Sequence, residues 1–336
     1  MDSNTSLDGV RDEVTARSGD TVTPALRRTD FTYSVVIPVY NSAPIVGSTI
    51  DQVVDVFREN GLSYELILVN DGSRDDSWEV ISGRARLDPN IVALNLLRNY
   101  GQHSANLAGL RASTGDYVIT MDDDLQNPPD QVLLLIDEAM SGKDLVFGRF
   151  QTKQHARYRR LGTRAIDMIN RRVFLQPPDL TVSNFRLLRR DVVDRICASN
   201  TAYPYITGQA LMYSHDRSNV VVRHEPRPVG KSNYSLLRIA RLVLTILFSY
   251  SVFPLRLAAF AGFLIAGASF VIGVSYLVRS LFVNTQVEGW TTLVVLLAMF
   301  NGVTIALLSM LGEYVVRTLN TVSAQERYHV TERVSG

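Results

Sequence analysis

The chain is short of the residues from which several common kinds of site are built. Its 336 residues include one cysteine, Cys197, which excludes an internal disulfide and a multi-cysteine zinc site. The five histidines are scattered and form no His-Glu-x-x-His pattern, and no Gly-x-Gly-x-x-Gly fingerprint is present. The formal net charge of +1 gives no support for a nucleic-acid partner. These absences leave dinucleotide-dependent and nucleic-acid-binding functions without support.

The first 30 residues mix Asp, Glu, Arg, Ser and Thr with few large apolar residues, which predicts a disordered tail and no signal peptide. Beyond them, apolar β-branched runs alternate with stretches of helical spacing. The predicted strands are 33–39, 65–69, 91–97, 116–121 and 144–147, and the predicted helices are 44–60, 76–86, 102–112 and 129–140. Alternation at these lengths implies crossover units, and so an α/β fold with a mostly parallel, Rossmann-like sheet.

Three consecutive carboxylates follow the fourth predicted strand, in the stretch Met121-Asp122-Asp123-Asp124-Leu125-Gln126-Asn127-Pro128-Pro129. The carboxyl ends of strands in such a sheet are where ligands bind. Concentrated negative charge there needs a counter-ion, and oxygen ligands suit Mg²⁺ or Mn²⁺ holding a diphosphate. A solvated acidic turn is the alternative, and this stretch alone does not decide between the two.

Two clusters of basic residues follow the predicted sheet. The segment 151–172 carries seven Lys and Arg residues above an apolar helical stripe, and Arg223, Arg227 and Lys231 form the second cluster. A basic helix is usually no more than a solvated face. Few acidic residues interleave here and an apolar region follows, so these segments are candidates for contact with an anionic lipid.

The last hundred residues have the composition of a membrane region. Residues 234–250 are apolar apart from Ser, Thr and two arginines on one helix face, which predicts a helix in the headgroup layer. Two uncharged runs, 257–278 and 291–311, have about the ~20 residues that span hydrocarbon. Most flanking arginines lie outside this pair, so the positive-inside rule predicts a multi-pass protein of the inner (cytoplasmic) membrane with both termini and the soluble domain in the cytoplasm.

A soluble sheet with an acidic edge, tethered to two spans, suggests chemistry between a soluble nucleotide and a lipid. Sugar transfer from a nucleotide-sugar fits, because a divalent ion bound near Asp122 and Asp124 can neutralise the charge on a leaving diphosphate. An acceptor that is already ionised, such as a lipid phosphate, needs little general-base help. It needs arginines to hold it, and the two basic clusters supply them.

An ordered set of motifs carries a family resemblance. It comprises Val36-Ile37-Pro38-Val39-Tyr40-Asn41, Val69-Asn70-Asp71-Gly72-Ser73-Arg74-Asp75, Asn99-Tyr100-Gly101-Gln102, Asp122 to Pro129, Gly148-Arg149, Arg227-Pro228-Val229-Gly230-Lys231-Ser232 and Leu311-Gly312-Glu313-Tyr314. With them the chain resembles the polyprenyl-phosphate class of the family 2 inverting glycosyltransferases, which includes dolichol-phosphate mannose synthase and the undecaprenyl-phosphate glucosyl- and aminoarabinose transferases. The resemblance covers roughly residues 33–330 and is closest to the aminoarabinose and glucosyl branches.

The resemblance implies a GT-A fold and a role for each matching residue. The nucleotide-sugar would be bound by Pro38, Tyr40, Asp71, Asp122 and Asp123, and the Mg²⁺ or Mn²⁺ cofactor by Asp124 and Gln126. Lipid-phosphate binding would fall to Arg149, Arg159, Thr163, Arg227 and Lys231. Asp122, Asp124 and Arg149 would be the catalytic set. The lipid phosphate would attack the anomeric carbon with inversion. A homotetramer is suggested by the resemblance alone.

Three positions depart from the family pattern. Ser42 replaces the usual Glu after Tyr-Asn, which puts one nucleotide contact in doubt. Lys231 stands two positions before the lysine of the usual Gly-x-Ser-Lys, so the cation is shifted. Phe147-Gly148-Arg149 replaces Gly-Ser-Arg, which would alter the floor of the sugar pocket. Glucose, mannose, an amino-sugar and aminoarabinose all fit the scaffold, with UDP expected as the nucleotide.

The expected organisation has five parts: a disordered tail 1–30, a GT-A domain 31–232, interfacial amphipathic helices 233–254, a transmembrane hairpin 255–316 and a cytoplasmic tail 317–336. Three rivals are weighed against transfer to a polyprenyl phosphate. A processive polysaccharide synthase would carry a Gln-x-x-Arg-Trp signature, and neither Trp78 nor Trp290 lies in one. A hydrolase would need a positioned nucleophile, which is not found. A catalytically inert membrane assembly or lipid-handling protein predicts a dispensable metal site.

Overall fold

The computed structural model describes residues 26–150, 170–199, 203–225, 289–322 and 327–336, with isolated positions between these ranges. The predicted alternation of strands and helices is confirmed from β1 to β5, with ends that shift by up to three residues. These elements are β1 Thr32–Val39, α1 Ala43–Glu59, β2 Ser63–Asn70, α2 Ser77–Leu87, β3 Ile91–Leu96, α3 Gln102–Ala112, β4 Tyr117–Thr120, α4 Val132–Met140 and β5 Leu145–Phe150. A short 3-10 turn, Pro129–Gln131, leads into α4.

Six further strands and helices follow, and only the long helix that contains the predicted span 291–311 was indicated by the sequence patterns. They are β6 Arg186–Arg189, α5 Arg190–Ala198, α6 Ile206–Tyr213, β7 Arg217–Val222, α7 Trp290–Val322 and β8 Val330–Ser335. The strands form one eight-stranded sheet in the order β7-β5-β6-β4-β1-β2-β3-β8. Its central strands β3, β2, β1 and β4 are parallel, while β6 and β8 run antiparallel to their neighbours. The fold is therefore α/β with a mixed, mostly parallel sheet.

Successive residues of the central strands enter two different cores, because side chains alternate between the faces of a strand. On β1, Val35 and Ile37 pack with α1, α2 and α4, whereas Val36 packs with α3, α5 and α6. All three are fully buried. A strand covered on both faces is apolar throughout, which is why its sequence predicts a parallel strand so clearly.

The chain order changes direction between β1 and β4. From β1 the chain winds to β2 and β3 on one side, and then crosses to β4 on the other. Strand β4 pairs with β1 only as far as Val36 and Thr120. Pro38, which has no N–H to donate, lies beyond that pairing. The carboxyl ends of β1 and β4 therefore lie at a topological switch point, where α/β sheets bind ligands.

The C-terminal residues return to the sheet. Residues 317–336, predicted as a tail, begin inside α7 and end in β8, which pairs antiparallel with β3 and forms an edge of the sheet. The Leu97 amide donates to the His329 carbonyl at 2.9 Å where this pairing begins. The predicted helices 233–254 and the predicted span 257–278 lie mostly outside the described residues, and the predicted span 291–311 falls within α7. No helix among the described residues combines the length and apolar character needed to cross a membrane.

Candidate active site at the carboxyl edge of the sheet

The acidic stretch forms the loop that follows β4. The Met121 amide donates to the Val36 carbonyl at 3.2 Å, so the three aspartates begin where the strand leaves β1. Leu125 has φ +56°, a left-handed conformation that non-glycine residues adopt rarely, and the Gln126 amide donates to Asp124 Oδ1 at 3.2 Å. Asp124 is 6% exposed. Backbone in such conformations tends to mark functional loops, because the surrounding structure must hold it in place.

Asp122 is held from the neighbouring helix. Gln102, the first residue of α3, donates from Nε2 to Asp122 Oδ1 at 2.5 Å. Asn99-Tyr100-Gly101-Gln102 belongs to the motif set, but the sequence assigned Gln102 no role. The signal was its position at the start of a helix, at the same edge of the sheet as the carboxylates. The structure adds Gln102 to the candidate site.

Asp123 carries a buried oxygen that makes no hydrogen bond. Its Oδ2 is enclosed and unpartnered within the described residues. Burial raises the pKa of Asp123 to about 6, and the neighbouring Asp124 charge acts in the same direction. The Ser42 hydroxyl and the Tyr40 backbone act in the opposite direction and lower it. Ser42, the departure from the family's glutamate, thus acts on the pKa of a site carboxylate. A buried carboxylate oxygen that has no hydrogen-bond partner among the described residues is suited to contact a bound ligand or a cation.

Asp71 organises a loop. Its Oδ1 accepts the Tyr100 amide at 2.7 Å and its Oδ2 accepts the Gly101 amide at 2.9 Å, and the residue is 3% exposed. Gly72 follows with φ +65°, and a Cβ there would lie 2.5 Å from the Arg98 and Asn99 backbone, so only glycine fits. Burial raises the pKa of Asp71 to about 6 despite the two amides. Both carboxylate oxygens therefore hold the segment that presents Gln102 to Asp122.

The remaining predicted residues divide into placed and unplaced ones. Pro38 is half-buried near the end of β1, and Tyr40 is 45% exposed just beyond it. Arg149 is exposed at the carboxyl end of β5, on the same edge as the acidic loop but two strands from β4. Arg159, Thr163, Arg227 and Lys231 lie outside the described residues.

The end of β7 touches the acidic loop. The Glu225 amide donates to the Gln126 carbonyl at 2.9 Å, and the rings of Phe150 and His224 lie 4.5 Å apart. Phe147, expected near the sugar pocket, is fully buried in the core with α3, α5 and α6. A Cβ on Gly148 would lie 2.7 Å from the Phe185 ring, so close packing accounts for this glycine.

A buried arginine lies behind Asp122. Arg186, the first residue of β6, is 0% exposed and was not identified from the sequence. Its Nε donates to Thr120 Oγ1 at 3.1 Å and its Nη1 to Thr207 Oγ1 at 2.8 Å. Burial and the Arg186 charge together lower the pKa of His103 to about 4, so His103 is neutral at physiological pH.

The donor set of the acidic loop fits a divalent cation that is shared with a bound phosphate. Among the described residues, no three His, Cys, Asp or Glu side chains converge into a self-sufficient metal cluster. Mg²⁺ characteristically takes one or two carboxylates and completes its shell with water and substrate phosphates. Asp124 and Gln126 offer oxygen ligands of that kind, and Asp123 Oδ2 leaves uncompensated carboxylate character nearby.

Comparison with known proteins agrees with this arrangement. The profile of glycosyl transferase family 2 matches residues 34–197. The chain is 34% identical over 305 residues to the undecaprenyl-phosphate 4-deoxy-4-formamido-L-arabinose transferase of Proteus mirabilis, which covers 90% of this chain and 93% of that protein. The protein of the same name from Pectobacterium carotovorum is 34% identical over 306 residues, with the same coverage.

Solved structures share the fold. Glucosyl-3-phosphoglycerate synthase from Mycobacterium tuberculosis, in complex with Mn²⁺, UDP and phosphoglyceric acid, superposes with a TM-score of 0.50 at 19% identity over 65% of this chain and 77% of that one. Its complex with phosphoglyceric acid alone gives a TM-score of 0.50 at 22% identity, over 66% of this chain and 80% of that one. At this identity the likeness establishes a GT-A-like fold.

Proposed function

Since the chain belongs to glycosyl transferase family 2, we propose that this glycosyltransferase moves a sugar from a UDP-linked donor to undecaprenyl phosphate, for modification of a cell-envelope glycan or lipid A. The observation that carries the proposal is the extent of the similarity. The matched 305 residues reach far beyond residues 34–197 of the family profile, so they include the C-terminal region as well as the sheet. A protein sharing only the donor-binding fold would match over the sheet alone.

The acidic loop would bind the donor. Asp124 and Gln126 would hold Mg²⁺ or Mn²⁺, which when bound neutralises charge on the diphosphate leaving group. Asp122, fixed by Gln102, and Asp123 would face the ribose and diphosphate. Pro38, Tyr40 and Asp71 would border the base and ribose, and Asp71 also accepts the Tyr100 and Gly101 amides of the neighbouring loop.

The acceptor would be an anion that needs positioning more than activation. Five residues are proposed to hold its phosphate: Arg149, Arg159, Thr163, Arg227 and Lys231. A phosphate oxygen would attack the anomeric carbon as the bond to the diphosphate breaks on the opposite face, which inverts the configuration. The names of the curated relatives favour 4-deoxy-4-formamido-L-arabinose as the sugar over glucose or mannose.

The membrane arrangement is part of the proposal. Residues 257–278 and 291–311 would span the inner membrane, with both termini and the sheet domain in the cytoplasm, and residues 234–250 would lie along the headgroups. A homotetramer is proposed from the resemblance. The polyprenyl acceptor would then enter from the bilayer side while the nucleotide-sugar arrives from the cytoplasm.

Transfer can be tested with membranes containing the protein, undecaprenyl phosphate and a panel of radiolabelled nucleotide-sugars. We expect label to enter the lipid phase from one UDP-linked donor and to carry one sugar per lipid. Asp124→Ala should abolish transfer, whereas Asp137→Ala, which removes a surface ion pair with Arg28, should retain it. Transfer at the wild-type rate by the Asp124→Ala variant would refute the metal site, and a polymeric product would favour a processive synthase. No label from any donor would favour an inert assembly protein.

A further inference from the structure

Arg186 is a fully buried cation, and no carboxylate of the described residues is in direct contact with it. Its two hydrogen bonds go to the neutral hydroxyls of Thr120 and Thr207, and its Nη2 is enclosed with no hydrogen-bond partner within the described residues. Taking a guanidinium out of water is costly unless an opposite charge and full hydrogen bonding compensate. An arginine held in this way costs folding stability, which is compatible with a role other than a structural one.

The position of Arg186 relates it to the acidic loop. Arg186 pairs in register with Thr120, the last residue of β4, so their side chains share the face of the sheet covered by α3 and α6. Asp122 lies two residues beyond Thr120 and is held by Gln102 of α3 on that same face. The Asp122 carboxylate and the Tyr205 hydroxyl are the groups that act on the Arg186 charge in the stabilising direction.

Within the part of the chain that the structure describes, the groups around Arg186 leave it as the charge that acts on Asp122 from this face of the sheet. His103 lies in the same cluster, with its ring edge-on to Tyr205 at a centroid separation of 5.2 Å. It is uncharged at physiological pH because of burial and the Arg186 charge. The Tyr205 hydroxyl donates to Asn170 Oδ1 at 3.1 Å.

We propose that Arg186 is a positioning residue for sugar transfer. Its buried charge, together with the hydrogen bond from Gln102, holds the Asp122 carboxylate in the orientation that receives the nucleotide-sugar. Arg186 acts through Asp122 and does not touch the substrate. The inference rests on the proposed function, in which Asp122 binds the donor.

The test compares Arg186→Met with Arg190→Met. Arg190 is the first residue of α5, directly after β6, and its Nε and Nη2 donate to the Gly115 carbonyl at 2.8 and 2.6 Å. Arg186→Met should lower kcat/KM and UDP affinity about 10- to 100-fold without a fall in Tm, because an apolar side chain of similar length suits a buried position. Arg186→Lys should recover much of the loss. Arg190→Met should lower Tm and leave transfer within about twofold.

A double-mutant cycle with Asp122→Asn shows whether Arg186 works through Asp122. We expect Arg186→Met to change UDP affinity less than about twofold in the Asp122→Asn background. A full, additive loss in that background would overturn the inference, as would wild-type UDP affinity in Arg186→Met. If Arg186→Met does not fold, Thr207→Val can be used instead, because it removes only the hydroxyl that accepts from Arg186 Nη1. Unchanged UDP affinity in Thr207→Val would also overturn the inference. UDP affinity is measured without transfer, so a wild-type protein that binds UDP but transfers no sugar contradicts the proposed function and not the role of Arg186.

Discussion

One substitution at two glycines tests how tightly the site is supported. Gly109 of α3 packs on β1, and a Cβ built there lies 2.3 Å from Val36 Cγ1 and 3.3 Å from Val36 Cβ and Cγ2. Gly83 of α2 is also within a helix, but a Cβ there meets nothing within 4 Å. Alanine at either position therefore raises helix propensity by the same amount, but only at Gly109 does the added methyl group meet a neighbouring side chain.

Helix propensity and core packing change the stability of the Gly109→Ala variant in opposite directions. Replacing glycine with alanine within a helix stabilises by about 1 kcal/mol. At Gly109 this gain is opposed by overpacking, which costs about 1–3 kcal/mol. Val36 is fully buried and β-branched, so it has few rotamers with which to avoid a methyl group. We therefore take the upper end of that cost and expect Gly109→Ala to destabilise by about 2 kcal/mol, while Gly83→Ala stabilises by about 1 kcal/mol.

Thermal unfolding of the full chain in detergent is the assay. At about 2–4 °C per kcal/mol for a domain of this size, Tm should fall in Gly109→Ala and rise in Gly83→Ala. Transfer should also fall in Gly109→Ala, because the Val36 carbonyl accepts the Met121 amide directly before the acidic loop. Shifts of the same sign in both variants would show that α3 does not pack on β1 as closely as described.

Two further predictions concern buried polar groups. Burial raises the pKa of Asp71 from 3.8 to about 6, so protonation of this carboxyl contributes up to about 3 kcal/mol of stability, which is fully present below pH 4 and is lost as the pH rises through 6. In Asp71→Asn, the free energy of unfolding should therefore depend less on pH over that range. An unchanged pH dependence would contradict the assignment. Tyr250 accepts the Tyr205 amide at 3.0 Å and donates to the Tyr203 carbonyl at 2.8 Å. Tyr250→Phe should therefore destabilise by about 1–3 kcal/mol, measured by denaturant unfolding, and a neutral effect would argue against the contact.

Sequence periodicity delimits the first half of the sheet because its strands are buried on both faces and separated by long helices. The same logic does not reach β6 and β8. Strand β6 has only four residues, and two of them are arginines. Strand β8, Val-Thr-Glu-Arg-Val-Ser, is an exposed edge strand with charges in its centre, so it lacks the apolar run that marks a buried strand.

Some residues of the candidate site can be identified from the sequence, and others come together only in the folded chain. Asp122, Asp123 and Asp124 are contiguous, so their clustering is visible in the chain itself. Gln102 is 20 residues from Asp122, and Arg186 is 66 residues from Thr120, so only strand order brings them together. Motif position predicts that Asp71 binds the nucleotide, and the structure adds that its two oxygens accept the Tyr100 and Gly101 amides, which sequence spacing does not reveal.

The C-terminal region meets the sheet domain on the face that holds Asp122. Tyr250, which precedes the proposed spans, packs its ring against Phe174 at 5.1 Å, while Tyr328, which follows them, lies 5.7 Å from the Arg111 guanidinium of α3. Burial raises the pKa of the Tyr250 hydroxyl, and the Arg327 charge is among the groups that oppose this shift. Entry to and exit from the proposed membrane segments are therefore fixed to one helical layer. That layer also positions Asp122, so under the proposed function a lipid phosphate approaching from the bilayer would meet the donor at the edge of the sheet that carries the acidic loop.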